Sequence, residues 1–172
     1  MFDEKLVKEI RAKAHLNENM SGCSQAVLAA LQEGLNIGDL QSLKAATAFA
    51  GGVARRGETC GALIGALMAL GIAEGRERLE DLPKLQSTIA DGFNLSTEFM
   101  RRLEKEYQMK NQLKSTLCKE LQDAIYGRHW DLSDPNQRTD FINSGGHGDQ
   151  GCLNVCGIAA EVAAEKILSL KK

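Results

Sequence analysis

The feature that most constrains the fold is an apolar run of twelve residues, Ala62 to Ala73, which follows a glycine-rich segment and Cys60. A helix that is apolar on nearly every side is typical of the middle of a domain. Gly61 and Gly65 each destabilise a helix by about 1 kcal/mol relative to alanine, so their presence indicates that neighbouring helices need the space. We therefore predict a central helix bearing Cys60, and we expect it to be the least exposed helix.

The rest of the chain shows helical periodicity and no convincing alternation of period two. We predict an all-α fold, a compact multi-helix bundle around the Cys60 helix, as a single domain over residues 1–172. Ser21 is the predicted cap of the second helix, and Ser115 or Thr116 that of the helix starting at Leu117. The other predicted helices cover about residues 3–15, 22–35, 39–49, 82–107, 117–125, 136–143 and 152–168.

The long helix predicted from Leu82 to Tyr107 is mostly polar. Such a helix is typical of a solvated arm or of a contact between two copies of a chain. Its length in a chain of this size is the reason for predicting a homodimer.

Composition excludes several classes of function. The net charge is -2 with both signs scattered, which does not fit nucleic-acid binding. The apolar run is shorter than the roughly 20 residues that span a bilayer, so we expect no membrane insertion. The first five residues lack the features of a signal peptide, which favours a cytoplasmic location. Five cysteines in a reducing compartment indicate metal or redox chemistry rather than structural disulfides.

The cysteines are placed in a common local setting. Cys23, Cys60, Cys118 and Cys152 each fall at or near the start of a predicted helix, where free backbone amides and the helix dipole stabilise a thiolate. A single free cysteine is commonly a packing residue, but four in this setting indicate a shared function. Cys156 lies one turn after Cys152 on the same face, as an additional metal ligand or as packing.

The spacing of the cysteines fits none of the short motifs. The chain has no C-x-x-C pair, so thioredoxin-like and zinc-ribbon sites are excluded. The gaps of 37, 58 and 34 residues between successive helix-start cysteines do not match the ferredoxin patterns. A shared site must therefore be assembled by tertiary packing, with one thiolate from each helix.

Three further features have both an ordinary and a functional interpretation. Arg55 and Arg56 form either a solvated turn or a source of positive charge for thiolates or a phosphate. His147, in a glycine-rich loop before Cys152, is either a loop residue or a ligand or proton donor. His129 and Trp130 are predicted to anchor a loop by packing.

Four segments of the sequence resemble the redox-active C-GCAxxG-C-C family: GCSQAV around Cys23, GETCGALIGAL around Cys60, LCKEL around Cys118, and Cys152 before the last helix. Thr59 stands where the family label has glycine, although the Cys-Gly-Ala-x-x-Gly core is intact. The resemblance implies an all-helical, mostly cytoplasmic protein of anaerobic redox metabolism. It also implies an iron–sulfur centre, which is attributed to a related domain.

Three functions remain open on these grounds. The first is electron transfer or redox sensing through an iron–sulfur cluster, most simply [2Fe–2S], held by Cys23, Cys60, Cys118 and Cys152, with a redox partner protein such as an oxidoreductase. The second is thiol–disulfide cycling, with Cys60 and Cys152 as candidate catalytic thiols. The third is a structural zinc site or a helical interaction module without a cofactor. A shared centre requires the helix starts of all four cysteines to converge.

Overall fold

The computed structural model describes residues 3–170, and that part of the chain consists of helices joined by turns and loops. It contains no strand; a single antiparallel bridge joins Thr59 to Leu117. The predicted all-α fold is confirmed. The helices are α1 (Glu4–Asn17), α2 (Cys23–Leu35), α3 (Leu40–Ala45), α4 (Gly61–Glu74), α5 (Leu82–Glu106), α6 (Cys118–Tyr126), α7 (Pro135–Asn143) and α8 (Cys152–Leu170).

Four of the eight helix starts within residues 3–170 follow from side chains that cap the first turn. Carboxylates accept hydrogen bonds from first-turn amides in four helices, and Pro135 occupies the first position of α7. The capping residues are Asp3 (α1), Asp39 (α3), Asp81 (α5) and Asp134 (α7).

Two predicted caps are wrong. Gly22 rather than Ser21 precedes α2, and Leu117 rather than Ser115 or Thr116 precedes α6, in both cases without a side-chain hydrogen bond. Both of these helices begin with a cysteine, and in α6 the amides of Cys118 and Lys119 donate to the carbonyls of Glu58 and Gly57 instead.

The core lies among five helices. Helix α1 packs on α8 and α2, α4 packs on α2 and α8, and α5 covers α8 and α4. Twelve of the 19 residues of α8 are buried, against seven of the 14 in α4. The Cys60 helix is therefore a core helix. The expectation that it is the least exposed helix is not met, because a larger fraction of α8 is buried, against α1, α2, α4 and α5.

Helix α5 belongs to the bundle and is not a solvated arm. Leu95, Phe99 and Leu103 of α5 are almost fully buried in the core. Arg102 of α5 donates to Glu165 of α8 at 2.7 Å and to Glu98 within its own helix at 2.7 Å. Both ion pairs are half-buried, and the one with Glu165 holds the polar face of α5 onto α8.

Helices α2 and α4 approach each other more closely than side chains allow. A Cβ placed on Gly65 would lie 2.3 Å from the carbonyl oxygen of Ser24, and one on Gly61 would lie 2.5 Å from Sγ of Cys23. These glycines therefore permit a backbone-to-backbone contact, as the small-residue pattern in the sequence predicts. Gly71, later in α4, faces open space.

No helix within residues 3–170 combines the length and apolar character needed to cross a membrane.

Replacing Gly65 with alanine should destabilise the protein by about 1–3 kcal/mol, because the new methyl group collides with the backbone of α2 rather than with a flexible side chain. The matched control is Gly71→Ala in the same helix, which should stabilise by up to about 1 kcal/mol because nothing contacts the new methyl group. Urea unfolding of both variants measures the difference. Equal effects would show that the α2–α4 contact is not tight.

Candidate functional site

All five cysteines line one cavity of about 320 Å³. Cys23, Cys118 and Cys152 are the first residues of α2, α6 and α8, and Cys60 immediately precedes α4. The N-terminal ends of four helices therefore meet around a single space, as a shared centre requires. Cys156, one turn into α8, also lines the cavity.

Cys60 and Cys118 are brought together by a short backbone pairing. The amide of Cys60 donates to the carbonyl of Thr116 at 2.8 Å, and the amide of Cys118 donates to the carbonyl of Glu58 at 2.7 Å. These bonds surround the bridge between Thr59 and Leu117. Helix α6 is thus attached to the start of α4 through main-chain bonds.

A left-handed turn forms the adjacent wall of the cavity. The five residues from Gly51 to Arg55 all have positive φ angles, including 55° at the β-branched Val53. For residues other than glycine this conformation costs roughly 1–2 kcal/mol each. Backbone bonds hold the turn, among them the amide of Glu58 to the carbonyl of Gly52 at 3.0 Å. Side chains are excluded at Gly52, where a Cβ would lie 2.6 Å from Cβ of Cys118.

The five cysteines are free thiols, with Cys60 and Cys156 buried and the other three half-buried. Burial raises the pKa of every one of them, to about 12 for Cys23. Neighbouring sulfurs add to this: Cys118 and Cys23 raise the pKa of Cys60 further. The sulfurs are therefore close enough to repel one another as thiolates.

Backbone amides act against this repulsion. The amide of Gly51 faces Cys23, and the amides of Ala62 and Leu63 face Cys60; each lowers the pKa of the thiol by hydrogen bonding, although burial has the larger effect. The amides of α4 are the unpaired donors of its first turn.

A buried carboxylate faces the same cavity. Glu18, in the short turn between α1 and α2, is 3% exposed, and its Oε1 lies 3.0 Å from Nε2 of His147. Its Oε2 is buried and makes no hydrogen bond. Burial raises the pKa of Glu18, and hydrogen bonding to His147 and to the thiol of Cys156 only partly offsets this. His147 was a candidate from the sequence; Glu18 was not, because the Asn17–Asn19 segment has the composition of an ordinary surface turn.

Aromatic packing closes the cavity on the side of α7. Trp130 and Phe141 lie edge to face with ring centroids 5.3 Å apart, and Phe141 also lines the cavity. Tyr126 packs on both rings and donates to the carbonyl of Gly146 at 2.9 Å. Trp130 is buried, as expected of a loop anchor, whereas His129 is half exposed and pairs with Asp123 at 2.9 Å.

The remaining charged candidates lie at the edge of the site. Arg55 lines the cysteine cavity and also a neighbouring surface cleft, which it shares with Arg56 and Lys119. Within residues 3–170, no three His, Cys, Asp or Glu side chains are arranged around one point as the ligands of a single metal ion.

Residues 21–166 match the model of a family described as "Putative redox-active protein (C_GCAxxG_C_C)". The chain belongs to the C-GCAxxG-C-C family. This confirms the resemblance carried by the Cys60 segment, and the matched span contains all five cavity cysteines. No match was found among curated proteins or among solved structures.

Burial of the thiols predicts slow alkylation with an unusual pH dependence. In the metal-free protein, the rate at Cys23 should rise about tenfold per pH unit from pH 7 to pH 10 without levelling, because its pKa is raised to about 12. Iodoacetamide labelling with peptide mass mapping follows each cysteine, and the urea-unfolded protein is the control. A plateau near pH 8.5 in the folded protein would contradict the buried environment.

Proposed function

We propose that this protein transfers or senses single electrons through an iron–sulfur centre held by Cys23, Cys60, Cys118 and Cys152. The observation that carries the proposal is the convergence of these cysteines, from four separate chain segments, on one cavity. Thiolates are the protein ligands that iron–sulfur clusters use, and the family description is redox-active.

Three properties of the cavity fit such a group. The donor set is rich in sulfur. The cysteines are closely backed by glycine, because a Cβ on Gly52 or Gly61 would touch Cys118 or Cys23. A buried oxygen of Glu18 faces the space without a partner. Among the described residues, no three side chains are placed to bind one metal ion. This is compatible with a [2Fe–2S] cluster, because its four cysteine ligands divide into two pairs, one on each iron.

The electrostatics favour a metal-bound centre over thiol–disulfide exchange. An attacking cysteine works as a thiolate with a lowered pKa, whereas burial here raises the pKa of all five thiols. A metal ion deprotonates its cysteine ligands outright and neutralises their mutual repulsion. A centre of this kind supplies a reversible one-electron carrier.

The chain's own residues set the properties of that carrier. Amides of Gly51, Ala62 and Leu63 donate to the sulfurs, and such hydrogen bonds tune a reduction potential. Phe141 and Leu132 form an apolar part of the cavity wall. Arg55, which lies between the cavity and the surface cleft, is suited to face an acidic redox partner protein.

Replacing Cys60 with serine should abolish the visible absorbance that the wild-type protein acquires on anaerobic reconstitution with iron and sulfide. The fold should persist, because serine is a favourable residue at the cap position that Cys60 occupies. Cys156→Ser is the matched control and should keep the bands, since four thiolates remain. A colourless wild-type protein that forms a titratable disulfide would overturn the proposal in favour of thiol exchange, and one that takes up zinc alone would favour a structural site.

We also propose that the protein forms a homodimer through a groove between α4 and α5. The groove is lined by apolar residues of both helices, and Phe93 and Ile89 of α5 are 71% and 56% exposed. Exposed large apolar side chains that adjoin one another mark contact surfaces.

The Phe93→Ser variant should weaken this dimer at least tenfold in sedimentation equilibrium, because it removes the most exposed aromatic ring of the groove. Leu40→Ser is the control, since Leu40 is comparably exposed at 66% but lies on α3. Monomeric wild-type protein at micromolar concentration would contradict the dimer.

A further inference from the structure

The surface cleft beside the cysteine cavity, called here the basic cleft, has a volume of about 600 Å³. Its walls are the chain from Ala54 to Glu58, Lys119 at the start of α6, and the loop around Trp130. Arg55 lines both the cleft and the cavity, so the two spaces are neighbours. The cleft is therefore a place at which another molecule on the surface comes close to the thiols.

One layer of main chain separates the cleft from the segment that carries Cys118. The carbonyl of Glu58 accepts from the amide of Cys118 at 2.7 Å, and the carbonyl of Gly57 accepts from the amide of Lys119 at 3.2 Å. Gly57, Glu58 and Lys119 line the cleft, whereas Cys118 lines the cavity. Cys118 is thus hydrogen-bonded through its backbone to the wall of the cleft.

A buried glutamine joins the cleft wall to the sulfur itself. Gln122 is 3% exposed; its Oε1 accepts from the amide of Trp130 at 3.0 Å, and its Nε2 donates to Sγ of Cys118 at 3.5 Å. Trp130 lines the cleft, and the guanidinium of Arg128 lies 4.5 Å from the centroid of its ring. A continuous set of hydrogen bonds therefore runs from the cleft to one sulfur of the cavity.

Cys118 is also carried by the most peripheral of the helices that begin with a cysteine. Helix α6 buries two of its nine residues, against seven of 13 in α2 and 12 of 19 in α8. The other cysteines are backed by the core of the bundle, so the α6 side is the thin wall of the cavity.

Three cations of the cleft have no carboxylate partner. Arg55, Arg56 and Lys119 are exposed, and none of the ion pairs found within residues 3–170 involves them. Exposed charges without partners are free to act on an approaching molecule, and they attract one of opposite sign.

The acidic groups of the cleft are fewer. Asp131 accepts from the amide and the hydroxyl of Ser133 at 2.9 and 2.6 Å, so its carboxylate is used within the loop. Glu58 is the other carboxylate that lines the cleft, and His129 is held by Asp123 at 2.9 Å. Three cations against two carboxylates leave the cleft positive, on a chain whose net charge is -2.

We propose that the basic cleft is the docking surface for an acidic redox protein, which exchanges an electron with the centre on its Cys118 side. The inference rests on the proposed function and deepens it, because it gives the place and the chemistry of the partner. One electron passes from the reduced partner to this protein or back, so one protein is oxidised as the other is reduced, and no bond is made or broken. Electron-transfer complexes have small interfaces, and charge steers their encounter.

The first test measures docking of a plant-type ferredoxin, a small acidic [2Fe–2S] protein, to the full chain, both metal-free and loaded. We expect the ferredoxin to shift the NMR amide signals of residues 54–58, 119 and 128–133. Lys119→Glu and Arg56→Glu should each raise the dissociation constant about fivefold or more, because each puts an anion where the cleft has an exposed cation.

The matched control is Lys8→Glu, which makes the same change of charge at an exposed position of α1 outside the cleft. It should leave the dissociation constant within about twofold of the wild-type value. Equal weakening by Lys8→Glu and Lys119→Glu would overturn the inference, because only the net charge would then matter.

The salt dependence separates charge steering from a change of structure. The difference between Lys119→Glu and wild type should be largest at about 0.02 M salt and nearly vanish at about 0.5 M, since salt screens exposed charges. A difference that persists undiminished at high salt would contradict docking by charge.

Two small oxidants of opposite charge locate the point at which the electron leaves. The reduced, loaded protein is mixed in a stopped-flow instrument with ferricyanide, an anion, or with hexaamminecobalt(III), a cation. Relative to Lys8→Glu, Lys119→Glu should react more slowly with ferricyanide and faster with the cobalt complex. Identical rates in the two variants with both oxidants would overturn exit on the Cys118 side.

The failure of this inference differs from the failure of the proposed function. If the centre loads but the ferredoxin shifts no amide of the cleft, the docking inference fails and the iron–sulfur function stands. If no centre can be loaded while the metal-free chain still binds the ferredoxin at the cleft, the docking surface stands, and its role in electron transfer fails together with the proposed function.

Discussion

The backbone contact between α2 and α4 is the constraint on which the site depends. Because Gly65 has no side chain, the carbonyl of Ser24 fits against α4, and because Gly61 has none, the sulfur of Cys23 lies over the first turn of that helix. Once these two helix starts are fixed, backbone pairing attaches α6 beside Cys60, and packing of α8 on α2 brings in the remaining cysteines. The position of the sulfurs thus follows from the absence of a Cβ at Gly61 and Gly65.

The electrostatics of the cavity combine opposing effects. Four helix N-termini direct positive potential at the same space, which favours anions there. Burial opposes any anion and keeps the thiols protonated, and Glu18 adds a negative group rather than a compensating one. A multivalent cation bound by the sulfurs, as in the centre proposed above, would offset both their mutual repulsion and the charge of the carboxylate.

The sequence predicted the helices well, because local chemistry determines their ends. The predicted starts at about residues 3, 22, 39, 82, 117, 136 and 152 lie within a residue of the observed ones, although the predicted serine and threonine caps are wrong. The sequence predicted a shared site only through the position of four cysteines at helix starts and through the family resemblance. The spacing of the cysteines along the chain did not by itself imply contact. The left-handed turn could not be predicted, because a β-branched residue such as Val53 disfavours that conformation and only hydrogen bonds in the folded protein impose it. Glu18 was missed for the same reason: its burial is decided by the loop around His147, far along the chain.

The long-range origin of the cavity has a consequence for the order in which the protein matures. Cys156 and the carbonyl of Cys23 that it faces are 133 residues apart, and Arg11 of α1 pairs with Glu161 of α8 across 150 residues. Contacts between residues so far apart in the sequence form late, because the chain entropy lost in closing the loop is offset only when the last helix packs on the bundle. Before α8 is in place, the thiols of α2, α4 and α6 lie open to solvent and to any cofactor being delivered. Docking of α8 then adds Cys152 and Cys156 and encloses the cavity, so one folding step both brings the five cysteines together and restricts access to them.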